Sequence, residues 1–522
     1  MVQIITLEEE GLMLRRDVLK YIAAIAAMPG GALADDVQRG LQLGTEAPFD
    51  RGDIHLMAQE LAMQPYSEGE LIPAAWRDLN YDQYRALQFN VKNALWRGSE
   101  TPVELDVFPP GLYFPRPVTI YAVDAAKQRR LLFDKAVFRV YEQFPENMPI
   151  DPSLGYSGLR LRSELKTEGK FEEFAVFQGA SYFRAIGTGQ NYGLSARGLA
   201  LKTADPAGEE FPEFTTFWVE RPTPGAGNVV VHALLDSPSC AGAYHFNIRH
   251  GSTLTMDVEA EIFARTDLAH VGIAPLTSMF LFDDMDRHRF DDFRRAVHDS
   301  DGLLMHNGSG EVIWRPLANP ASLQISAFSD NNPRGFGLMQ RSREYGDFKD
   351  LEAYYHNRPG LWVTPGEGWG RGHVALVEIP ADLEIYDNIV AYWRSSKTIA
   401  AGASHKMTYR LDWGPSPASI AAPPLKILNT AAGARPEGGR VYVIDFEGDA
   451  RVPEDLDQIE PIIRITAGEA GKGILQRNPE TNGPRLAFTH YPGDATLAEF
   501  RVQLRHDGAP LSEVWLYRWT AE

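Results

Sequence analysis

Apolar positions along the chain change rhythm near residue 90. Before that point, residues 35 to about 90 read as helix and loop. The stretch Phe49 to Gln64 sets Ile54, Met57, Leu61 and Met63 near helical spacing. After it, short runs rich in Val, Tyr, Phe and Thr recur, divided by Gly, Pro, Asn and Asp. Examples are PVTIYAV (117–123), KAVFRVYEQF (135–144), GNVVVHALL (227–235) and TLTMDVEAEIFAR (253–265). Evenly scattered short strands with turn chemistry between them predict a mainly β chain, a sandwich or a barrel. No long amphipathic helices alternate with the strands, which disfavours a parallel α/β sheet.

A boundary is expected after TYRLDWGP (408–415). The stretch 414–439 is dense in Pro, Ala and Gly and reads as a linker. From Arg440 a new strand pattern begins, with RVYVIDFEG, PIIRITAG, ATLAEFRVQLRHDG and SEVWLYRW. A final segment 440–522 of this kind has the size of an immunoglobulin-like sandwich. The expected division is therefore 1–34, 35–413, 414–439 and 440–522. At 522 residues the chain is too long for one ordinary core.

Residues 1–34 read as an address label. Arg15 and Arg16 precede Val18, Leu19 and Lys20, a short apolar stretch runs from Tyr21 to Met28, and Pro29, Gly30 and Gly31 interrupt it. Ala32, Leu33 and Ala34 then offer a small-x-small cleavage site. Charged, apolar, then small is the order of a signal peptide, and the arginine pair favours the twin-arginine route to the periplasm. The apolar stretch is too short to span a bilayer, so no permanent membrane anchor is expected. Met13, just before the pair, is an alternative start.

Charge and cysteine content narrow the partners. The net charge of -19, from 51 basic and 70 acidic side chains, repels phosphate backbones, so no nucleic-acid partner is expected. The single cysteine, Cys240, excludes a disulfide within the chain and a cysteine-cluster zinc site. Cys240 reads as a small buried apolar side chain. No cofactor or metal is implied. The 10 Trp, 20 Tyr and 26 Phe could stack on sugar faces, but most are expected to fill β cores.

There is no Walker-A loop, no HExxH and no GxSxG. The segment Gly187 to Gly193 echoes a glycine-rich nucleotide loop without its βαβ setting and reads as a tight turn. Two acid-bearing segments remain. In SMFLFDDMDRHRFDDFRRAVHDSDGLLM (278–305), apolar runs flank a stretch crowded with Asp, Arg and His. In HVALVEIPADLEIYDNIVAYW (373–393), two strand-like runs bracket a loop carrying Glu384 and Asp387. Either segment could be a solvated loop with surface ion pairs or a sugar-binding or catalytic loop. Glycoside cleavage needs two carboxyl groups, one as acid and one as base. Spacing alone does not show that these loops face each other.

Several long stretches resemble the periplasmic glucan biosynthesis protein G/D family. They are FQGASYFRAIGTGQNYGLSARGLALKT (177–203), EEFPEFTTFWVERP (209–222), the 278–305 segment with WRPLANP (314–320), SDNNPRGFGLMQR (329–341), LEAYYHNRPGLWV (351–363), GWGRGHVALVEIP (368–380) and DNIVAYW (387–393). The similarity spans about residue 35 to 522, and the twin-arginine leader favours the D branch. The resemblance implies a large antiparallel β-sandwich domain followed by a smaller immunoglobulin-like domain. It also implies work on osmoregulated periplasmic glucans with a β-1,2-linked glucose backbone, as an inverting endo-β-1,2-glucanase or a transglycosylase. By resemblance Asp387 matches the general acid and Asp299 the base, which acts through intervening waters or a sugar hydroxyl. Tyr355 and Glu384 match substrate-binding positions in the cleft. FLFDDMDRHRFDD departs from the usual Phe-Gly-Glu-Asn opening, which bears on hydrolysis versus transfer. The alternative is a non-catalytic glucan-binding or assembly factor. The oligomeric state is open.

Overall fold

A computed structural model describes residues 40–416, 420 and 423–521. The leader with Arg15 and Arg16 lies outside the described residues. Strand makes up 47% of the chain and helix 8%, so the mainly β class holds, in several antiparallel sheets. The chain forms two compact units that interleave in sequence. Unit 1 takes residues up to Pro275 and then Arg394–Trp413; unit 2 takes Leu276–Trp393 and Gly414 onwards. This differs from the expected division. The stretch 276–393 groups with the C-terminal strands instead of with the preceding sandwich.

Unit 1 is built on a meander. Strands Glu213–Glu220, Val229–Asp236, Cys240–Arg249, Leu254–Ala264 and Ser404–Gly414 pair antiparallel in that order. Thr119–Asp124 joins the first of them in parallel. A second set, Val103–Phe108, Gly158–Glu164, Phe171–Gln178, Tyr182–Ala185 and Ser195–Arg197, is antiparallel throughout. Alternating side chains put Phe177 and Phe183 of the second set on Phe217 and Phe246 of the first. Phe177 lies 5.7 Å from Phe217 and 5.2 Å from Phe246, edge to face, so the two sheets share one aromatic core.

The helix Arg51–Ala62 starts where the Asp50 side chain accepts a bond from Gly52 N at 2.7 Å. It packs Ile54 and Ala58 on Val123, Trp218 and Leu234. Met57 and Met63, expected on the same face, are 39% and 74% exposed. The buried stripe follows positions 54, 58 and 61, and Met63 falls on the opposite side at 100° per residue. Cys240 is fully buried, and burial pushes its thiol up to about 12. In the Gly187–Gly193 segment, Gln190 N donates to Gly187 O at 3.1 Å and closes a turn.

In unit 2, strands Gly302–His306, Val312–Pro316 and Gly335–Met339 form antiparallel pairs, with Gly360–Pro365 beside the last. Arg371–Glu378 lies between Gln324–Asn331 and the strand that starts at Ile389. The stretch read as a linker holds the strand Ile427–Ala434, paired with Arg440–Phe446. Small residues that suit a flexible connection suit an edge strand equally, and here the partner strand decides. Arg440–Phe446 pairs onward with Pro484–Tyr491. Across from them, Ile459–Ile465 and Val514–Thr520 flank Leu497–His506. Tyr442, Phe488, Phe500 and Trp515 fill the space between these layers. The last strand also pairs in parallel with Val312–Pro316, through Ile313 with Val514 and Trp314 with Trp515.

Candidate functional site

Both acid-bearing loops lie in unit 2, and hydrogen bonds hold them together. Phe280–Phe282 pairs with Val297–His298, so the polar stretch between them is a loop closed at its base. The second loop runs from Pro380 to Asp387. Asn388 clamps the two. Its Oδ1 accepts from Phe280 N at 2.9 Å, while Nδ2 donates to Phe280 O at 2.8 Å and Ile379 O at 3.1 Å. Asn319, from the WRPLANP stretch, makes a second clamp. It donates to Leu281 O at 3.0 Å and Ala381 O at 2.7 Å and accepts from Ala381 N at 3.0 Å. Both amides are buried, so each bond forms without competition from water.

Arginines complete the junction. Arg294, from the first loop, pairs with Glu384 of the second at 2.7 Å, and also with Asp292 at 2.7 Å and Asp350 at 2.8 Å. Asp299 follows Val297–His298 and is fully buried, with its N–H on Met279 O at 2.8 Å. Its carboxylate is ion-paired with Arg358. Arg358 lies 4.3 Å from the Tyr355 ring centre and donates to Ala353 O at 3.1 and 2.9 Å. Burial draws Arg358 below the usual arginine range, opposed by Tyr355, Glu384, Asp350 and Asp387. Asp387, half-buried, thus lies within electrostatic reach of the guanidinium that holds Asp299.

Tyr355 is the buried floor of this region. Its ring packs 5.7 Å from Phe348, and its carbonyl accepts from Gln340 Nε2. Gln340 Oε1 in turn accepts from His298 Nδ1 at 2.9 Å, and burial pushes His298 down, so the imidazole stays neutral. Tyr354, just before it, adopts φ 49° and ψ 44°, a left-handed backbone that is costly for an aromatic residue. That kink sends the Tyr354 side chain outward while Tyr355 turns in; they are 38% and 2% exposed.

All four residues singled out in the sequence, Asp387, Asp299, Tyr355 and Glu384, therefore sit on elements tied to one another. Asn388, Asn319, Arg294 and Arg358 were not singled out. Their signal was present, since each lies in or beside a quoted motif, but an amide clamp has no spacing rule. The FLFDDMD opening adds a half-buried acid pair. Burial, then the Asp286 charge, raises Asp283 well above the usual carboxylate range. Burial raises Asp286 to about 7, opposed by the N–H groups of Asn319 and Asp283.

The mainly β chain thus carries two acid-bearing loops clamped together in unit 2. The chain matches the family described as "Periplasmic glucan biosynthesis protein, MdoG" over residues 49–519. It is 46% identical over 492 residues to Glucans biosynthesis protein G of Vibrio cholerae, covering 93% of this chain and 90% of that one. It is 46% identical over 479 residues to the protein of the same name from Shewanella sp. strain MR-7, covering 90% and 87%. The chain belongs to the periplasmic glucan biosynthesis protein family. Both relatives carry the G name, whereas the D-branch expectation rests on the leader. A solved α-galactosidase from Geobacillus stearothermophilus is similar over 49% of this chain and 39% of its own, with a TM-score of 0.23 and 8% identity, too low to bear on fold or activity. Among the described residues, no helix is long and apolar enough to cross a membrane.

Proposed function

We propose that this protein cleaves or re-joins the β-1,2-linked backbone of osmoregulated periplasmic glucans, with inversion, using Asp387 as general acid and Asp299 as base. The observation that carries the reading is the clamping of the two acid-bearing loops by Asn388 and Asn319. Arg358 supports the division of labour, because its ion pair favours the ionised Asp299 that a base requires. Burial of Asp299 means that its proton must come through a relay, and Tyr355, stacked on Arg358, lies on that side. Glu384, held by Arg294, would orient substrate.

The same burial favours a second reading, a non-catalytic glucan-binding or assembly factor, because a fully enclosed carboxylate meets no substrate water directly. Incubation with linear β-1,2-glucan and separation of the products decides between them. Asp387→Asn and Asp299→Asn should each lower kcat by about 10²–10⁴ while glucan still binds. Wild-type turnover by both folded variants would remove the assignment. Export by the twin-arginine route belongs to the same proposal. Replacing Arg15 and Arg16 by Lys should leave the precursor in the cytoplasm, and normal periplasmic recovery would exclude that route.

A further inference from the structure

Unit 2 contains a cavity of about 370 Å³ that uses none of the four residues above. One wall comes from the first acid-bearing segment and the loop after Gly335–Met339, with Asp283, Asp301 and Ser342. The other comes from the C-terminal layer, with Asn429, Thr430 and Asn478. The volume falls at the lower end of the range for small-molecule sites, room for about one or two hexose rings.

Its lining narrows the chemistry of an occupant. Six carboxyl groups and three guanidinium groups face it. Two of the guanidiniums already have partners in the wall. Arg485 grips Asp445 through two bonds of 2.6 and 2.7 Å, and Arg295 pairs with Asp284. The third, Arg341, reaches Glu513 at 2.8 Å. Asp301 accepts from the backbone N–H of Arg341 at 3.0 and 2.9 Å and of Ser342 at 3.1 Å. An anion would meet excess carboxylate. Each arginine already carries a carboxylate partner, and no three His, Cys, Asp or Glu side chains converge as metal ligands among the described residues. Bound charges of both signs, amides of Asn429 and Asn478, and hydroxyls of Ser342, Thr430 and Thr481 together suit a neutral ligand rich in hydroxyls. The Trp314 ring takes no sugar face, since the Arg341 guanidinium covers it at 3.7 Å. Recognition would go through hydroxyl hydrogen bonds to fixed groups.

We propose that this cavity is a second carbohydrate site, holding a short stretch of glucan apart from the Asp387–Asp299 site. The sugar class rests on the function proposed above; the cavity and its polarity do not. Asp301 lies two residues beyond Asp299 on one continuous segment, so a chain anchored here would be held on the same scaffold as the base.

The test is calorimetric titration of the Asp387→Asn protein, which should not consume its ligand, with linear β-1,2-linked glucotriose. Two binding events are expected. Asn429→Trp, which places a bulky ring at an exposed strand position lining the cavity, should remove one of them; Thr481→Tyr should do the same should the first variant fold poorly. With Asp387 intact, either variant should still cleave long glucan within about threefold of wild type. A single event before substitution, or two events after both substitutions, would overturn the second site while leaving the enzyme reading in place. Absence of any binding, together with absence of turnover by wild type, would overturn the proposed function and the sugar identity together.

Discussion

Arg160 in unit 1 and Arg358 in unit 2 are both buried guanidinium groups facing buried carboxylates, yet their environments act in opposite directions. Arg160 sits on a strand directly opposite Asp106 in the register. It bonds Asp106 at 3.0 and 2.7 Å and Glu173 at 2.8 Å. Burial works against its charge, but Asp106 and Glu173 outweigh burial and hold it above the usual arginine range. Arg358 sits at the end of the short turn Tyr355–Asn357, and burial prevails despite the ion pair with Asp299. A ladder position surrounds its cation with more negative charge than it needs. The loop position leaves its cation short of it, and such a cation favours ionised carboxyls nearby. Regular strands carry the first network and irregular backbone the second, which is where chemistry is more often found.

The largest expected effect separates the two. Arg358→Met should lower kcat on β-1,2-glucan by about 10² or more, because Asp299 loses the charge that keeps it ionised. Arg160→Met should leave the kcat of the folded fraction unchanged. Equal losses of activity in both would erase the distinction. Next in size is stability. Arg160→Met leaves Asp106 with only Arg162 at 3.4 Å and takes the Arg160 partner from Glu173, and removal of one partner from a buried pair costs about 3–5 kcal/mol. Chemical denaturation should show that loss, and a shift under about 1 kcal/mol would mean that the pair is better hydrated than its burial suggests.

Two smaller effects depend on pH. Asp286 is raised to about 7 from an ordinary value of 3.8, burial being the main cause. The folded state then holds this proton more tightly than the unfolded state. Its contribution is complete below about pH 4 and is lost as pH rises to about 7. Asp286→Asn removes the titration, so the variant should gain Tm relative to wild type across that window and keep a constant difference above it. A difference independent of pH would place Asp286 in solvent. His245 in unit 1 runs the other way. Burial, then Arg51 and His232, lowers it to about 4. Its neutral form supports folding above about pH 6.5 and that support is lost as pH falls towards 4. His245→Gln should therefore gain Tm relative to wild type at pH 5 compared with pH 7.5, and an unchanged difference would refute the shift.

Strand content was legible because alternation and turn residues are local signals. Val229–Asp236 and Leu254–Ala264 fall on runs read from the sequence. The helix was legible but its face was not fully so, since Met57 lies at the margin of the stripe and only packing on Trp218 and Leu234 decides. The acid loops could be named but not brought together. Asn388 to Phe280 is a contact across 108 positions, and no spacing rule reaches that far. The interleaving of the units was hidden for the same reason. Arg394–Trp413 returns to unit 1 by pairing with Leu254–Ala264, and composition around 414–439 does not distinguish a connection from the strand Ile427–Ala434.

The parallel seating of Val514–Thr520 against Val312–Pro316 sets a clock on biogenesis. The ribosome makes Val514–Thr520 long after Val312–Pro316, so the sheet bearing Gly302–His306 keeps an open edge until that strand emerges. Unit 1 waits too, because its meander lacks Ser404–Gly414 until those residues emerge. Unit 1 must wait for Arg394–Trp413 and unit 2 for Val514–Thr520, and closing such long loops late makes assembly slow and exposed to misassembly. Removal of Val514–Thr520 would present an unpaired strand edge in the unit that holds Asp299 and Asp387.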